Sequence, residues 1–319
     1  MKTVSLARDA MATRFEMVLH GEDEPGLRAA GEEALDEITA LAAQLNFHCA
    51  ESEVSRINAG AALGAVQVEP GLFRLLRTAK RIHEQSGGAF DVTVAPLMRC
   101  WGFWGGARRV PSPEELARVR ASVGMDLVHL DEENFTVFFE CPGVQIDLGA
   151  IGKGFALDAA AGLLREAGVT SALIHGGTSS VCTIGSPPDK PCWKTAIEWP
   201  SLDKLEHTGR QQLVSVARLS DESLGVSSSS GRAFKENGVS YGHVLDPRRG
   251  EPTHNALLAA VALPSGTAAD AWSTALLVSA EDGAAALGQA AKSARSLLLL
   301  PDDESGCRLT CSGFEPLES

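Results

Sequence analysis

The run Val144-Gln-Ile-Asp147-Leu-Gly-Ala-Ile-Gly-Lys153-Gly-Phe-Ala-Leu-Asp158 passes from an apolar start through three glycines into a helical period. Val144 and Ile146 read as the end of a buried strand. From Gly154, residues Phe155, Ala159 and Leu163 recur at i, i+4 and i+8, and Gly168 stands where a helix would stop. A strand-to-helix junction offers free backbone N–H groups at a helix N-terminus, a natural place for phosphate. The spacing Gly149-Ala-Ile-Gly-Lys-Gly154 is not a P-loop, which needs GxxxxGK followed by a hydroxyl. Nor is it the GxGxxG of a dinucleotide-binding βαβ unit, and an acid precedes the turn. Negative charge at both ends, Asp147 and Asp158, points to a metal beside the phosphate. The bland alternative is a turn-forming Asp147 and a solvated Lys153.

Outward from this run the pattern is of strands in groups. Segments 127–130, 135–139 and 144–146 follow one another with no helix between, and 172–175, 195–198, 213–217 and 243–245 continue the series. A strand at 13–19 precedes an amphipathic helix over 25–45, with Leu35, Ile38, Ala42 and Leu45 on one stripe. A second helix covers 71–85, with Leu72, Leu75, Leu76, Ala79 and Ile82 inward. Segments 185–191 and 203–210 read as loops. The last third runs strand (258–263), helix (268–278), helix (281–290), strand (296–300). Strands in adjacent groups imply α+β with antiparallel sheets packed against helices, not a doubly wound sheet.

Composition narrows the function. With 28 basic and 41 acidic residues among 319, the chain carries a net charge of −13 and no basic footprint for nucleic acid or an anionic membrane. Seven scattered cysteines form neither a CxxC pair nor a disulfide framework, and Cys307 with Cys311 has no second ligand pair for zinc. No run of 18 apolar residues suits a transmembrane helix, and the N-terminus as written has no signal-peptide core. The expected location is the cytoplasm, or the periplasm if translation starts further upstream.

Four further constellations carry chemistry. In Thr267-Ala-Ala-Asp270-Ala-Trp-Ser273-Thr274, Asp270 and Thr274 share a helix face and offer hard oxygens suited to Mg²⁺. The same spacing also resembles a helix cap from Thr267 to Asp270. His243, in Tyr241-Gly-His243-Val-Leu-Asp246-Pro247, can act as a base near neutral pH or serve as a structural strand residue. Gly88-Ala-Phe-Asp91 is a helix stop followed by an acid, and His175-Gly-Gly-Thr178 is a glycine turn.

Taken in order, these segments resemble the FAD:protein FMN transferase family, also called ApbE. Met11-Ala-Thr13 is similar to its Met-Gly-Thr opening and Ser52-Glu-Val-Ser-Arg-Ile-Asn58 to its Ser-Glu-Leu-Ser-Arg-Phe-Asn segment. The resemblance runs from Met11 to about Leu277. It implies an α+β fold related to the T-fold, as one domain over 1–319 that can divide into two subdomains with the active site between them. It also implies Mg²⁺-dependent cleavage of FAD, release of AMP, and attachment of FMN to a Thr or Ser of a target flavoprotein, such as a membrane redox-pump subunit carrying Asp-x-x-x-(Ser/Gly)-Ala-(Thr/Ser).

By this resemblance Met11, Ala89, Phe90, Asp91, Asp147, Lys153 and Leu245 contact FAD. The Ala150 carbonyl with Asp270, Ser273 and Thr274 holds the metal, and His243 or Asp270 takes the proton. This chain has Ala12 for the family's glycine, His48 where many members stack a tyrosine on the nucleotide, Arg232 for an acid, and Thr178 for an Asp or Asn. An FAD pyrophosphatase and a flavin-binding protein without turnover remain alternatives.

Overall fold

The computed structural model describes residues 1–200, 213–302 and 306–315; the loop expected at 203–210 lies outside them. Among the described residues seven α-helices run in chain order: α1 Glu24–Gln44, α2 Glu53–Gly60, α3 Pro70–Gln85, α4 Ala95–Cys100, α5 Pro113–Arg120, α6 Gly152–Glu166 and α7 Gly266–Ala290. The main sheet has eight strands, labelled β1 Lys2–Ala10, β2 Thr13–Gly21, β3 Ala172–Gly176, β4 Ser180–Ile184, β5 Ser223–Ser228, β6 Leu258–Leu263, β7 Arg295–Asp302 and β8 Gly306–Ser312. Their spatial order is their chain order, and every pairing is antiparallel. The chain is α+β, as its grouped strands imply.

One face of the sheet carries helices. Leu27, Ala34, Leu35 and Ile38 of α1 pack with Ala156, Leu157, Ala160 and Leu164 of α6 over Phe15, Met17 and Leu19 of β2. α7 covers the other half, with α3 behind it. On the opposite face lies a hairpin, Trp193–Glu198 paired with Leu213–Leu219. Strand β6 is therefore buried throughout. Its Ala259, Val261 and Leu263 face the helices, while Leu258, Ala260 and Ala262 face the hairpin side. A strand buried on both faces reads as a continuous apolar run. The five inward residues expected on α3 are each at most 1% exposed, and burying such side chains stabilises the fold by about 1.5–3 kcal/mol for each large one.

Three readings need correction. Residues 144–146 form no ladder: the Asn58 side chain donates to the Ile146 carbonyl (2.9 Å) and accepts its N–H (2.7 Å), doing a partner strand's work. His243 lies between short strands Val239–Gly242 and Leu245–Asp246, not inside one. Phe155, Ala159 and Leu163 are only half-buried, because α6 is wedged between α1 and α7 and turns its alanine-rich side inward. The two helices expected at 268–278 and 281–290 are both present, as the halves of α7 on either side of Ala280, whose φ of 50° breaks the helical geometry.

Candidate active site

Helices α6 and α7 meet at their N-termini, and each caps the other. Asp158 of α6 accepts from the Gly266 and Thr267 N–H groups (2.7 and 2.9 Å) and from the Ser265 and Thr267 hydroxyls (2.8 and 2.7 Å). Asp270 of α7 accepts the Gly154 N–H at 2.7 Å. The expected Thr267–Asp270 cap is absent: Ser265 is the N-cap and accepts the Ala268 N–H. Asp158 is thus a structural acid. The charge at that end of the run is explained by a helix terminus, not by a ligand.

Such close approach requires missing side chains. A Cβ on Gly154 would stand 2.0 Å from the Gly266 carbonyl oxygen, and one on Gly225 of β5 would stand 2.4 Å from the Ala269 carbonyl. The glycines of the run serve helix packing as much as ligand approach.

Beside this junction opens a cleft of about 1420 Å³, above the ~300–1,000 Å³ usual for small-molecule sites. The residues that the resemblance assigns to FAD, the cation or proton transfer, with His48, all line it: Met11, His48, Ala89, Phe90, Asp91, Asp147, Ala150, Lys153, His243, Leu245, Asp270, Ser273 and Thr274. They come from the β1–β2 turn, the segment after α1, the segment after α3, the approach to α6 and its first turn, the segment before Asp246, and α7.

Their states differ. Asp270 is buried, and desolvation pushes its carboxyl up to about 6 against the opposing pull of Lys153, the Ser180 hydroxyl and the Gly154 N–H. Asp147 is half-buried and also raised by desolvation, though its Oδ1 accepts the Gly149 N–H at 2.9 Å. Lys153 sits in the first turn of α6, where a cation opposes the helix dipole. Helix formation does not account for it; the cleft and Asp270 do. Burial, with the Arg232 charge added, lowers the His243 pKa, so the ring is neutral at pH 7, and its Nδ1 is buried with no partner. The Ser273 hydroxyl donates to the Asp270 carbonyl (2.9 Å), and the Thr274 hydroxyl points to the same oxygen (3.3 Å).

Asp91 is engaged by protein. Its Oδ1 accepts the Thr93 N–H and hydroxyl (2.7 and 2.5 Å), and its Oδ2 lies 3.2 Å from the Met125 N and 3.1 Å from His83 Nδ1. Sequence reasoning missed several lining groups. Phe47 and Trp104 form a cluster with exposed His48, ring centroids 4.5–5.5 Å apart. The aromatic density of Trp101-Gly-Phe-Trp104 was the available signal in a chain with 5% aromatics. Ser227 on the cleft wall and buried Ser180 behind Asp270 were also missed; only the serine run 227–230 hinted at the first.

Among the described residues no group of three His, Cys, Asp or Glu side chains forms a metal cluster. A site of one carboxylate, hydroxyls and a carbonyl is of another kind, and its all-oxygen donors fit Mg²⁺. The partly desolvated carboxylate of Asp270, facing the cleft with one protein donor on each oxygen, is what a hard cation would stabilise.

The sequence profile of the ApbE family matches residues 11–297. The chain belongs to the ApbE family. The FAD:protein FMN transferase of Haemophilus influenzae is 30% identical over 312 residues, covering 95% of this chain and 88% of its own. That of Klebsiella pneumoniae is 32% identical over 249 residues, 77% and 74% of the two chains. Among solved structures, the ApbE protein of Thermotoga maritima superposes with a TM-score of 0.85 at 28% identity, covering 98% of this chain and 97% of that one. The flavin transferase ApbE of Vibrio cholerae gives 0.82 at 27% identity, with coverages of 98% and 97%. Both are α+β structures of the same architecture as this chain. No helix among the described residues is long and apolar enough to cross a membrane.

Proposed function

We propose that this ApbE-family chain transfers FMN from FAD to a Ser or Thr hydroxyl of a partner flavoprotein, with Mg²⁺, releasing AMP. It acts as one domain whose two lobes meet at the cleft. The observation that carries this reading is the meeting, in one cleft of dinucleotide size, of Asp270, Thr274, Lys153 and His243, whose buried Nδ1 has no partner.

In this reading Asp270, Thr274, Ser273 and the Ala150 carbonyl hold the cation, which when bound neutralises diphosphate charge. The chain's own groups do the rest. Lys153 and the α6 N-terminus face the phosphates. The aromatic cluster of Phe47, His48 and Trp104 offers faces to the rings of the dinucleotide. The incoming hydroxyl oxygen bonds the FMN phosphorus as the bond to the AMP oxygen breaks, and His243, neutral at pH 7, accepts the hydroxyl proton. Asp91 holds its segment in place, leaving the rest of that segment to meet the flavin nucleotide.

The test is incubation with FAD, Mg²⁺ and Thr-bearing peptides of the form Asp-x-x-x-(Ser/Gly)-Ala-Thr. A peptide mass gain of one FMN unit, with equimolar AMP, is expected. AMP released with no labelled peptide would make the chain a pyrophosphatase instead.

A further inference from the structure

The cation ligands proposed above rest on two hydroxyls that the sequence did not single out. Ser180, on β4 and 1% exposed, donates to Asp270 Oδ1 at 2.8 Å. With the Gly154 N–H on Oδ2, the carboxylate is held at both oxygens from two different elements, and its plane cannot rotate about χ2. Beside the hydroxyl ligands, also on the cleft wall, lies Ser227 on β5, its Oγ 2.8 Å from Ser273 Oγ and 3.2 Å from Thr274 Oγ1.

The protons can be counted. A serine or threonine hydroxyl has one proton and two lone pairs. Ser273 directs its proton to the Asp270 carbonyl, and Thr274 is aimed at the same oxygen. Ser227 therefore directs its proton to Ser273 at 2.8 Å, and its oxygen stands 3.2 Å from Thr274 Oγ1, whose one proton is shared between Ser227 and the Asp270 carbonyl. Thr274 is left with lone pairs turned to the cleft, the state a cation requires. Ser273, 1% exposed and bonded on both sides, links Ser227 to α7.

We propose that Ser180 and Ser227 are positioning residues for the cation site: Ser180 fixes the Asp270 carboxylate, and Ser227, anchored on Ser273, fixes the Thr274 hydroxyl by direct contact. The inference rests on the metal assignment made under the proposed function. It moves Ser273 from ligand to link. Groups behind metal ligands of this kind alter affinity about 10–100-fold when removed.

The test is binding of Mn²⁺, as a spectroscopic substitute for Mg²⁺, in the presence of ADP as a diphosphate that carries no flavin. Free Mn²⁺ is read by electron paramagnetic resonance. Ser180→Ala and Ser227→Ala are expected to weaken binding about tenfold or more, with Ser227→Thr restoring it. Melting temperature without metal is measured alongside. If Ser180→Ala fails to fold, Ser180→Thr and Ser227→Ala carry the comparison. Variants that lower the melting temperature while binding Mn²⁺ as tightly as the parent overturn the positioning role. A parent chain that binds no Mn²⁺ with ADP instead overturns the metal assignment on which it rests.

Discussion

Ala12 holds φ at 57° and Met11 at 48°, the two central residues of the tight turn that joins β1 to β2 across the Ala10–Thr13 pair. Such a turn asks for left-handed backbone at both positions, which costs a residue with a Cβ about 1–2 kcal/mol. Ala12→Gly should raise the urea midpoint by an amount equivalent to about 1 kcal/mol while leaving Met11 in the cleft. His83 gives a pH prediction. Desolvation pulls its pKa down, but the hydrogen bond and charge of Asp91, the Phe90 carbonyl and Asp126 outweigh it, so the pKa is raised above 6.5. A raised folded pKa stabilises the protein fully below about pH 6.5, and the gain is lost as pH climbs through the folded value. The stability difference between the parent and His83→Gln, from urea melts, should shrink between pH 6 and pH 9. A difference that grows would contradict the His83–Asp91 pair.

At the scale of elements, the reciprocal caps of α6 and α7 set the site. Asp158→Ala leaves two N–H groups and two hydroxyls without their acceptor and should cost about 2 kcal/mol or more, read by chemical denaturation. Gly154→Ala should be at least as damaging, because the clash is with backbone. How legible each element was follows from what holds it. α3 was read to within a residue because its own apolar period decides its burial. Segment 144–146 was misread because its pairing partner is an amide side chain 88 positions away. Strands β4 and β5 were missed because Ser223-Leu-Gly-Val-Ser-Ser228 has no alternation. It becomes a strand only between β4 and β6 beneath α7, where Gly225 admits the helix. That is also why Ser180 and Ser227 were invisible: each sits on one of these unreadable strands.

Over the whole molecule, an eight-stranded antiparallel sheet supplies the rigid floor, and the cleft opens where α6, α7 and the segments around α2–α4 converge. The positions that family resemblance assigned to the candidate site all line one cleft. What resemblance could not supply was the division of labour: Asp158 and Asp91 are held by protein, whereas Asp270 keeps lone pairs toward the cleft. The central claim is that Asp270 serves a cation needed for FAD cleavage. Asp270→Asn tests it most directly, since the amide still offers an oxygen to the Gly154 N–H but carries no charge. AMP release from FAD is measured against Mg²⁺ concentration for both proteins, with circular dichroism to verify the fold. Loss of several kcal/mol of charge stabilisation predicts a rate about 10²-fold lower or less, with a native spectrum. A folded Asp270→Asn protein whose Mg²⁺-dependent AMP release matched the parent's would contradict the account.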